Sequence, residues 1–311
     1  VYLASTSSMG PASRYRIYQY QRFFQQAGIE LNILPALEDT WLKAEFYSGH
    51  RRRLARIQAG ASGLLRRMKQ LAPLRDADLV IVERELFPKI PGFLENYLLR
   101  RCKGYGIEFD DAIYLSPGRA DKYPRLIQNA SFVIAGNDHL AEWASRHQSN
   151  VHVVPTCVET SRYQPKPSYE LSATPEVGWV GLSSNLPYVG AVAEALAEGM
   201  KPFGAKLHIL SGRPGNLELP TLFSSWSENI ETNIIEQFDI GIMPLPSTDF
   251  ARGKCGLKIL QYMAAGVPVV ASAVGVNRTI IKHGINGMLV EHPADWAPAI
   301  KKLLSSYWAL R

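Results

Sequence analysis

Three cysteines stand in 311 residues, Cys102, Cys157 and Cys255. Odd in number and widely spaced, they provide neither a disulfide framework nor a zinc site, and they fit a reducing compartment. No run of 18 or more apolar residues occurs, so no segment is expected to cross a membrane as a helix. His152 and His208 fall in expected strands and His139 and His147 around an expected helix, none at metal-ligand spacing from another His or Cys. Gly-x-Ser-x-Gly is missing too, which removes one common signal of nucleophilic hydrolysis. There is no internal repeat and no low-complexity tract.

With 46% hydrophobic and 20% charged residues the chain reads as an ordinary globular protein, long enough for two domains of about 150 residues each. The cytoplasm is the default compartment. The sequence starts at Val1, inside an expected strand, so a few preceding residues including the initiator Met are expected, and a signal peptide stays open. A net charge of +6 favours anionic partners. It is concentrated between residues 50 and 71, where Arg51, Arg52, Arg53, Arg56, Arg66, Arg67 and Lys69 occur with no acid. Leu54, Ile57, Ala61, Leu64, Met68 and Leu71 recur there at helical spacing, which predicts a basic amphipathic helix. Either its apolar stripe packs on the domain and its arginines are solvated, or it docks on an anionic membrane surface. Nucleic acid is not expected, because no aromatic platform accompanies the arginines.

Short apolar strands alternate with helices along the first half. Strands are expected at residues 1–5, 29–34, 79–82, 106–109, 132–135 and 151–154, and helices at 13–27, 50–71, 92–101 and 138–146. Proline and polar residues between 155 and 175 read as a linker. The alternation then restarts, with strands at 177–180, 206–210, 240–243, 269–271 and 288–290, and helices at 188–199, 257–265 and 294–308. The pattern predicts two doubly wound parallel α/β domains, 1–165 and 166–311, facing a central cleft at their strand ends, with the last helix free to pack back on the first domain.

The stretch from Arg252 to Val276 carries the strongest chemical signal. A basic glycine loop opens a short helix whose Leu257, Leu260 and Met263 share a face, and Gly266-Val267-Pro268 ends it before a strand. Backbone N–H groups at Gly256 and Leu257 would lie free at the positive end of the helix, and Arg252, Lys254 and Lys258 add full charges, a layout suited to a diphosphate. The same spacing also occurs in ordinary α/β crossovers.

This segment resembles the donor-binding helix of group 1 glycosyltransferases, which have the GT-B fold. Met263, Ala264, Gly266, Pro268 and Val269 match that pattern, whereas the two glutamates that flank the helix in the family fall on Gly253 and Gln261. Val154-Pro155-Thr156-Cys157-Val158-Glu159 with Tyr163 and Pro165 resembles the family segment that ends the first domain. Gly178-Trp179-Val180-Gly181 followed by Ser183, Ser184 and Asn185 looks like the first strand and loop of the donor domain, without its usual Arg and Lys. The resemblance implies a transferase that moves a sugar from a UDP- or GDP-sugar to a glycan or lipid-linked acceptor, with retention. Gly181, Ser183, Ser184, Asn185, Arg252, Lys254, Gly256 and Leu257 would hold the donor, and Gln261 the ribose. Lys258 would stabilise the leaving diphosphate.

Glu108, Asp110 and Asp111 stand at the C-terminal end of the strand at 106–109, where a carboxylate could order a hydroxyl or accept its proton. Asp110 and Asp111, with Lys258, are the catalytic candidates. Gly10, Ser13, Arg14 and Arg16 follow the first strand: Gly10 permits close approach, Ser13 is a good N-cap, and either arginine could reach a diphosphate or an anionic acceptor. Glu83, Arg84 and Glu85 are weaker candidates that a surface ion cluster explains equally. Neither a cofactor nor a metal is expected, since the basic residues supply the charge a divalent ion would. Two alternatives stay open: a nucleotide-sugar-binding module without transfer activity, and an epimerase or hydrolase on the same fold.

Overall fold

The computed structural model describes residues 1–88, 91–166 and 170–305. Its contacts divide the chain into two compact units. One comprises Val1–Cys157 together with Arg252–Cys255, the other Val158–Ala251 and the chain from Gly256 onward. The change of unit thus falls after Cys157, and four residues of the second half are built into the first unit.

In the first unit β1 (Tyr2–Leu3), β2 (Val80–Glu83), β3 (Tyr105–Phe109), β4 (Phe132–Ala135) and β5 (Val151–Val153) form a parallel sheet in that spatial order. β3 is buried along its whole length, as strands of a parallel sheet covered on both faces are. The strand expected at 29–34 is replaced by a looser edge. Residues 32–36 bond along β1 (Tyr2 N to Asn32 O 2.9 Å, Leu34 N to Tyr2 O 2.8 Å, Ala36 N to Ala4 O 2.9 Å), but only isolated bridges form. Pro35 has no N–H for a continuous ladder. Counting this edge, the direction of winding reverses between β1 and β2, the point where open α/β sheets bind ligands.

The helix expected at 13–27 breaks into Pro11–Arg16, a 3₁₀ turn Tyr18–Tyr20, and Gln21–Gln26. Gly10, not Ser13, is its N-cap. The basic helix Gly49–Gln70 forms, but turned the other way from the packing reading: its inward face is Arg52, Arg56, Ala59, Gly63 and Arg67, while Leu54, Ile57, Leu64, Leu65 and Met68 are 45–66% exposed. What it packs against explains this. The sheet edge presents carbonyls, and Arg67 donates to Ala4 O (2.5 Å) and Leu34 O (3.0 Å) while Arg66 donates to Ala36 O (3.0 Å). Arg52 and Arg56 both bind Glu45. Buried carbonyls need donors, which leucines lack.

The second unit has β6 (Glu176–Val180), β7 (Lys206–Ser211), β8 (Thr221–Ser225), β9 (Ile240–Met243), β10 (Val269–Ser272) and β11 (Met288–Val290), parallel in the order β11-β10-β9-β6-β7-β8. This is the doubly wound dinucleotide-fold order, with its reversal between β6 and β9. Gly178 and Gly241 lie under the rings of Phe238 and Tyr262, where a Cβ would come within 2.0 and 2.4 Å of ring atoms. β8 and helix Glu228–Gln237 were not expected; β8 is a polar, half-exposed edge strand without a hydrophobic signal. Within the expected linker, Tyr163 is already buried in the second unit and Lys166 pairs with Asp239 at 2.8 Å, while residues 167–169 lie outside the described residues. The last helix, Trp296–Ser305, packs on helix Ala193–Met200, β10 and β11 of the second unit. The expected continuation through 308 lies outside the described residues.

Candidate functional site

In the second unit the two strands flanking the reversal, β6 and β9, carry the candidate residues. β6 runs into Gly181 and the 3₁₀ turn Ser183–Asn185. Ser183 is buried with its hydroxyl 3.1 Å from that of Ser211 at the end of β7, and Ser184 is exposed. After β9 the chain passes through Asp249–Arg252, joins the other unit for four residues and returns at Gly256. Gly256 is left-handed (φ +71°) and caps helix Leu257–Ala264; a Cβ there would stand 2.4 Å from Ile280 Cδ1. Both the conformation and the space require glycine. The N–H groups of the first turn have no acceptor within the helix and lie at its positive end.

Lys258, in that first turn, extends past Gly181. A Cβ on Gly181 would lie 3.1 Å from Lys258 Cε, and the ammonium stands 5.8 Å from the Trp179 ring centre. The ring face attracts the cation and holds its long stem at the end of β6. Gly181, Gly256, Leu257 and Lys258 are therefore brought together. Gln261 is not part of that opening: it is 2% exposed and donates to the Tyr163 hydroxyl at 3.2 Å. Its position turns it toward the core beside Tyr262 and not toward a ribose.

The first unit gathers charge at the ends of β1, β2 and β3. Glu83 accepts from Ser13 Oγ (2.7 Å) and Ser5 N (3.1 Å) through Oε2, while its buried Oε1 has no hydrogen-bond partner among the described residues. Burial pushes its carboxyl up, with Arg84 opposing. Ser13 is thus a buried donor to Glu83, with Thr6 N donating to it in turn (3.2 Å). A Cβ on Gly10 would meet Thr6 Oγ1 at 1.9 Å, so glycine there serves the turn itself. Arg16 donates from Nε to Glu108 (2.6 Å) and from Nη1 to Val154 O (2.8 Å), so its guanidinium is committed inside the unit rather than to a diphosphate. Burial pushes Glu108 up to about 7 against the pull of Arg16. Arg14 is buried, 4.9 Å from the Tyr15 ring centre.

Arg84 has φ +66°, the single positive φ outside glycine among the described residues, and such backbone is held only where the surroundings over-determine it. Its guanidinium binds Asp110 (2.7 Å) and Asp111 (3.3 Å), and Lys254 binds Asp111 from the other side (2.8 Å). Burial alone would raise Asp110, but Arg84, Arg16 and Lys254 outweigh it and hold the carboxyl below its ordinary value. Segment Arg252–Cys255 is fastened by Asn137 Nδ2 donating to Gly253 O (3.0 Å) and by Cys255 Sγ donating to Asp110 O (3.1 Å). A Cβ at Gly253 would lie 2.7 Å from that of Ala112, so a glutamate has no room there. Arg252 is exposed at the start of the segment.

The structure divides the expected diphosphate group: Lys258 stays with the second unit, Lys254 turns to Asp111 in the first. Asn137 was missed, although an Asn at an expected helix start is a signal, as the cap of helix Asp138–Ser145; Trp179 and Tyr163 entered only as parts of the family-like segments and not as partners of Lys258 and Gln261. Among the described residues no group of three or more His, Cys, Asp or Glu could hold a metal ion, and no helix is long and apolar enough to cross a membrane.

Residues 183–306 match the family described as glycosyl transferases group 1. A D-inositol 3-phosphate glycosyltransferase of Geodermatophilus obscurus is 42% identical over 69 residues, 22% of this chain and 14% of that protein. The match therefore spans only a small part of that relative's length. Among solved structures, HepE of Anabaena in complex with UDP and glucose superposes with a TM-score of 0.64 at 16% identity, covering 98% of this chain and 89% of that one. Sucrose-phosphate synthase of Thermosynechococcus elongatus gives 0.68 at 15% identity, covering 99% and 90%. By the matched segment and by the architecture of both sheets, the chain resembles the group 1 glycosyltransferases and has the GT-B fold.

Proposed function

We propose that this chain is a glycosyltransferase that moves a sugar from a UDP- or GDP-sugar to an acceptor hydroxyl in glycan or polysaccharide synthesis, with retention and without a metal. The observation that carries this reading is the meeting of Lys258, the Gly181 loop and the N-terminus of helix Leu257–Ala264 at the reversal between β6 and β9. Amide donors and a fixed ammonium there would stabilise the charge that develops on a departing diphosphate. Asp110 and Asp111, oriented by Arg84 and Lys254, would order the acceptor hydroxyl. Gln261 would support the helix from inside.

The test is product formation from a panel of UDP- and GDP-sugars with acceptor extracts, alongside calorimetry. Tight binding with no transfer would favour a binding module, and donor consumption without acceptor would favour a hydrolase or epimerase. Activity is expected to survive EDTA; loss restored by manganese would overturn the metal-free reading.

The exposed stripe of helix Gly49–Gln70 favours work at the cytoplasmic face of an anionic membrane carrying a lipid-linked acceptor. Leu54, Ile57, Leu64, Leu65 and Met68 would enter the interface, flanked by the exposed Arg51, Arg53 and Lys69. Each basic residue contributes about 1 kcal/mol near such a surface, and binding should weaken toward about 0.5 M salt. Replacing Ile57 and Leu64 by glutamate should reduce sedimentation with anionic vesicles by about tenfold or more. Equal sedimentation of parent and variant, or none of the parent, would leave the acceptor soluble.

A further inference from the structure

We propose that the first unit carries a separate binding groove for an acidic oligosaccharide, between helices Gly92–Leu99 and Lys122–Gln128. The groove is shallow and open to solvent, with a volume of about 540 Å³, and is lined by Phe93, Tyr97, Asn96, Arg100, Arg125 and Asn129, among others. None of these residues bonds to the charged array at the strand ends.

Phe93 and Tyr97 stand one helical turn apart and are 59% and 60% exposed, with the Arg101 guanidinium over one face of the Tyr97 ring at 5.4 Å from its centre. Rings this exposed on a helix face offer flat apolar surface to a ligand. Arg100 and Arg125 form no ion pair or side-chain hydrogen bond among the described residues, and the nearest acid in sequence to Arg100, Glu95, is buried and bound to Lys122 at 2.6 Å. The amides of Asn96 and Asn129 both donate to Arg125 O (3.2 and 2.8 Å), which braces the backbone that carries this arginine.

A pyranose ring offers a C–H face to an aromatic ring and places carboxylate or sulfate groups at its rim, where guanidinium groups bind them in pairs. The exposed Phe93 ring, the remaining face of Tyr97 and two arginines without a partner among the described residues fit a few residues of such a chain. A bilayer fits a concave site poorly, and a nucleic acid strand needs a longer basic track. The choice of a sugar ligand rests on the transferase reading above; the groove itself does not.

Calorimetry with the intact protein tests this, using a galacturonate hexamer as probe and cellohexaose as its neutral counterpart. The acidic hexamer should bind about tenfold or more tightly than the neutral one, and Arg100→Gln with Arg125→Gln should remove about tenfold or more of its affinity. Phe93→Ala with Tyr97→Ala should lose a comparable factor, separating stacking from charge alone. Transfer from the nucleotide sugar should be unchanged in both double variants, so failure of the transferase reading would appear in the parent's turnover and not in these affinities. Equal affinity of parent and variants overturns the proposal. So does tighter binding of a single-stranded oligonucleotide or of anionic vesicles with the same dependence on these four residues.

Discussion

Lys258→Ala is expected to lower turnover with a nucleotide sugar by about a hundredfold or more, the loss seen when one preorganised donor to developing charge is removed. Three observations make the side chain a fixed charge: its place in the first turn of helix Leu257–Ala264, the Trp179 ring at 5.8 Å, and Gly181 against its stem. An ammonium already in place needs no reorganisation when the diphosphate departs. The variant should fold normally, because Lys258 is only half-buried and the helix keeps Ile259 and Tyr262 in the core. Unchanged melting with near-parental turnover would remove Lys258 from the mechanism. A rise in KM with kcat intact would assign it to ground-state binding alone.

Lys122→Met is expected to destabilise the fold by about 3–5 kcal/mol at neutral pH, the range for removing one member of a buried ion pair. Lys122 Nζ donates to Glu85 (2.6 Å), Glu95 (2.6 Å) and Phe87 O (2.5 Å), and it is buried with both carboxylates. Methionine fills the volume but leaves the buried Glu95 without its cation, while Glu85 keeps Arg119 at 2.7 Å. Burial already pushes Glu95 above its ordinary value, with Lys122 the main opposing influence; without the lysine it rises further. A carboxyl whose folded value lies above its unfolded one binds protons more readily when folded. The deficit of the variant should therefore be smallest below the ordinary carboxylate range and grow as pH rises through the raised folded value. Denaturant unfolding at pH 4.5 and pH 8 measures this. A deficit that is independent of pH would mean that packing, and not the stranded charge, sets the loss.

Strand positions were largely legible because parallel strands buried on both faces leave short, nearly continuous apolar runs, as at β3, β6 and β9. The segment around Gly256 was legible because a glycine loop, a helix and Gly-x-Pro leave a local imprint. Facing was not. Helical spacing in residues 49–70 defines two sides but does not say which one packs, and the assumption that leucines go inward fails against a row of edge carbonyls. Gln261 is polar yet buried because Tyr163, 98 positions away, satisfies it. The strain at Arg84 and the docking of Gly253 on Ala112 depend equally on contacts between distant positions. The same docking leaves no room for a longer side chain at 253.

Because Arg252–Cys255 completes the first unit, that unit cannot finish folding in the order in which it is synthesised. When Cys157 leaves the ribosome, Asn137 lacks its carbonyl acceptors and Asp111 lacks Lys254. At about 5–20 residues per second, the missing segment follows roughly 5–20 s later. During that interval the loops after β3 and β4 stay solvated and open, and the charged array closes only after most of the second unit has been made.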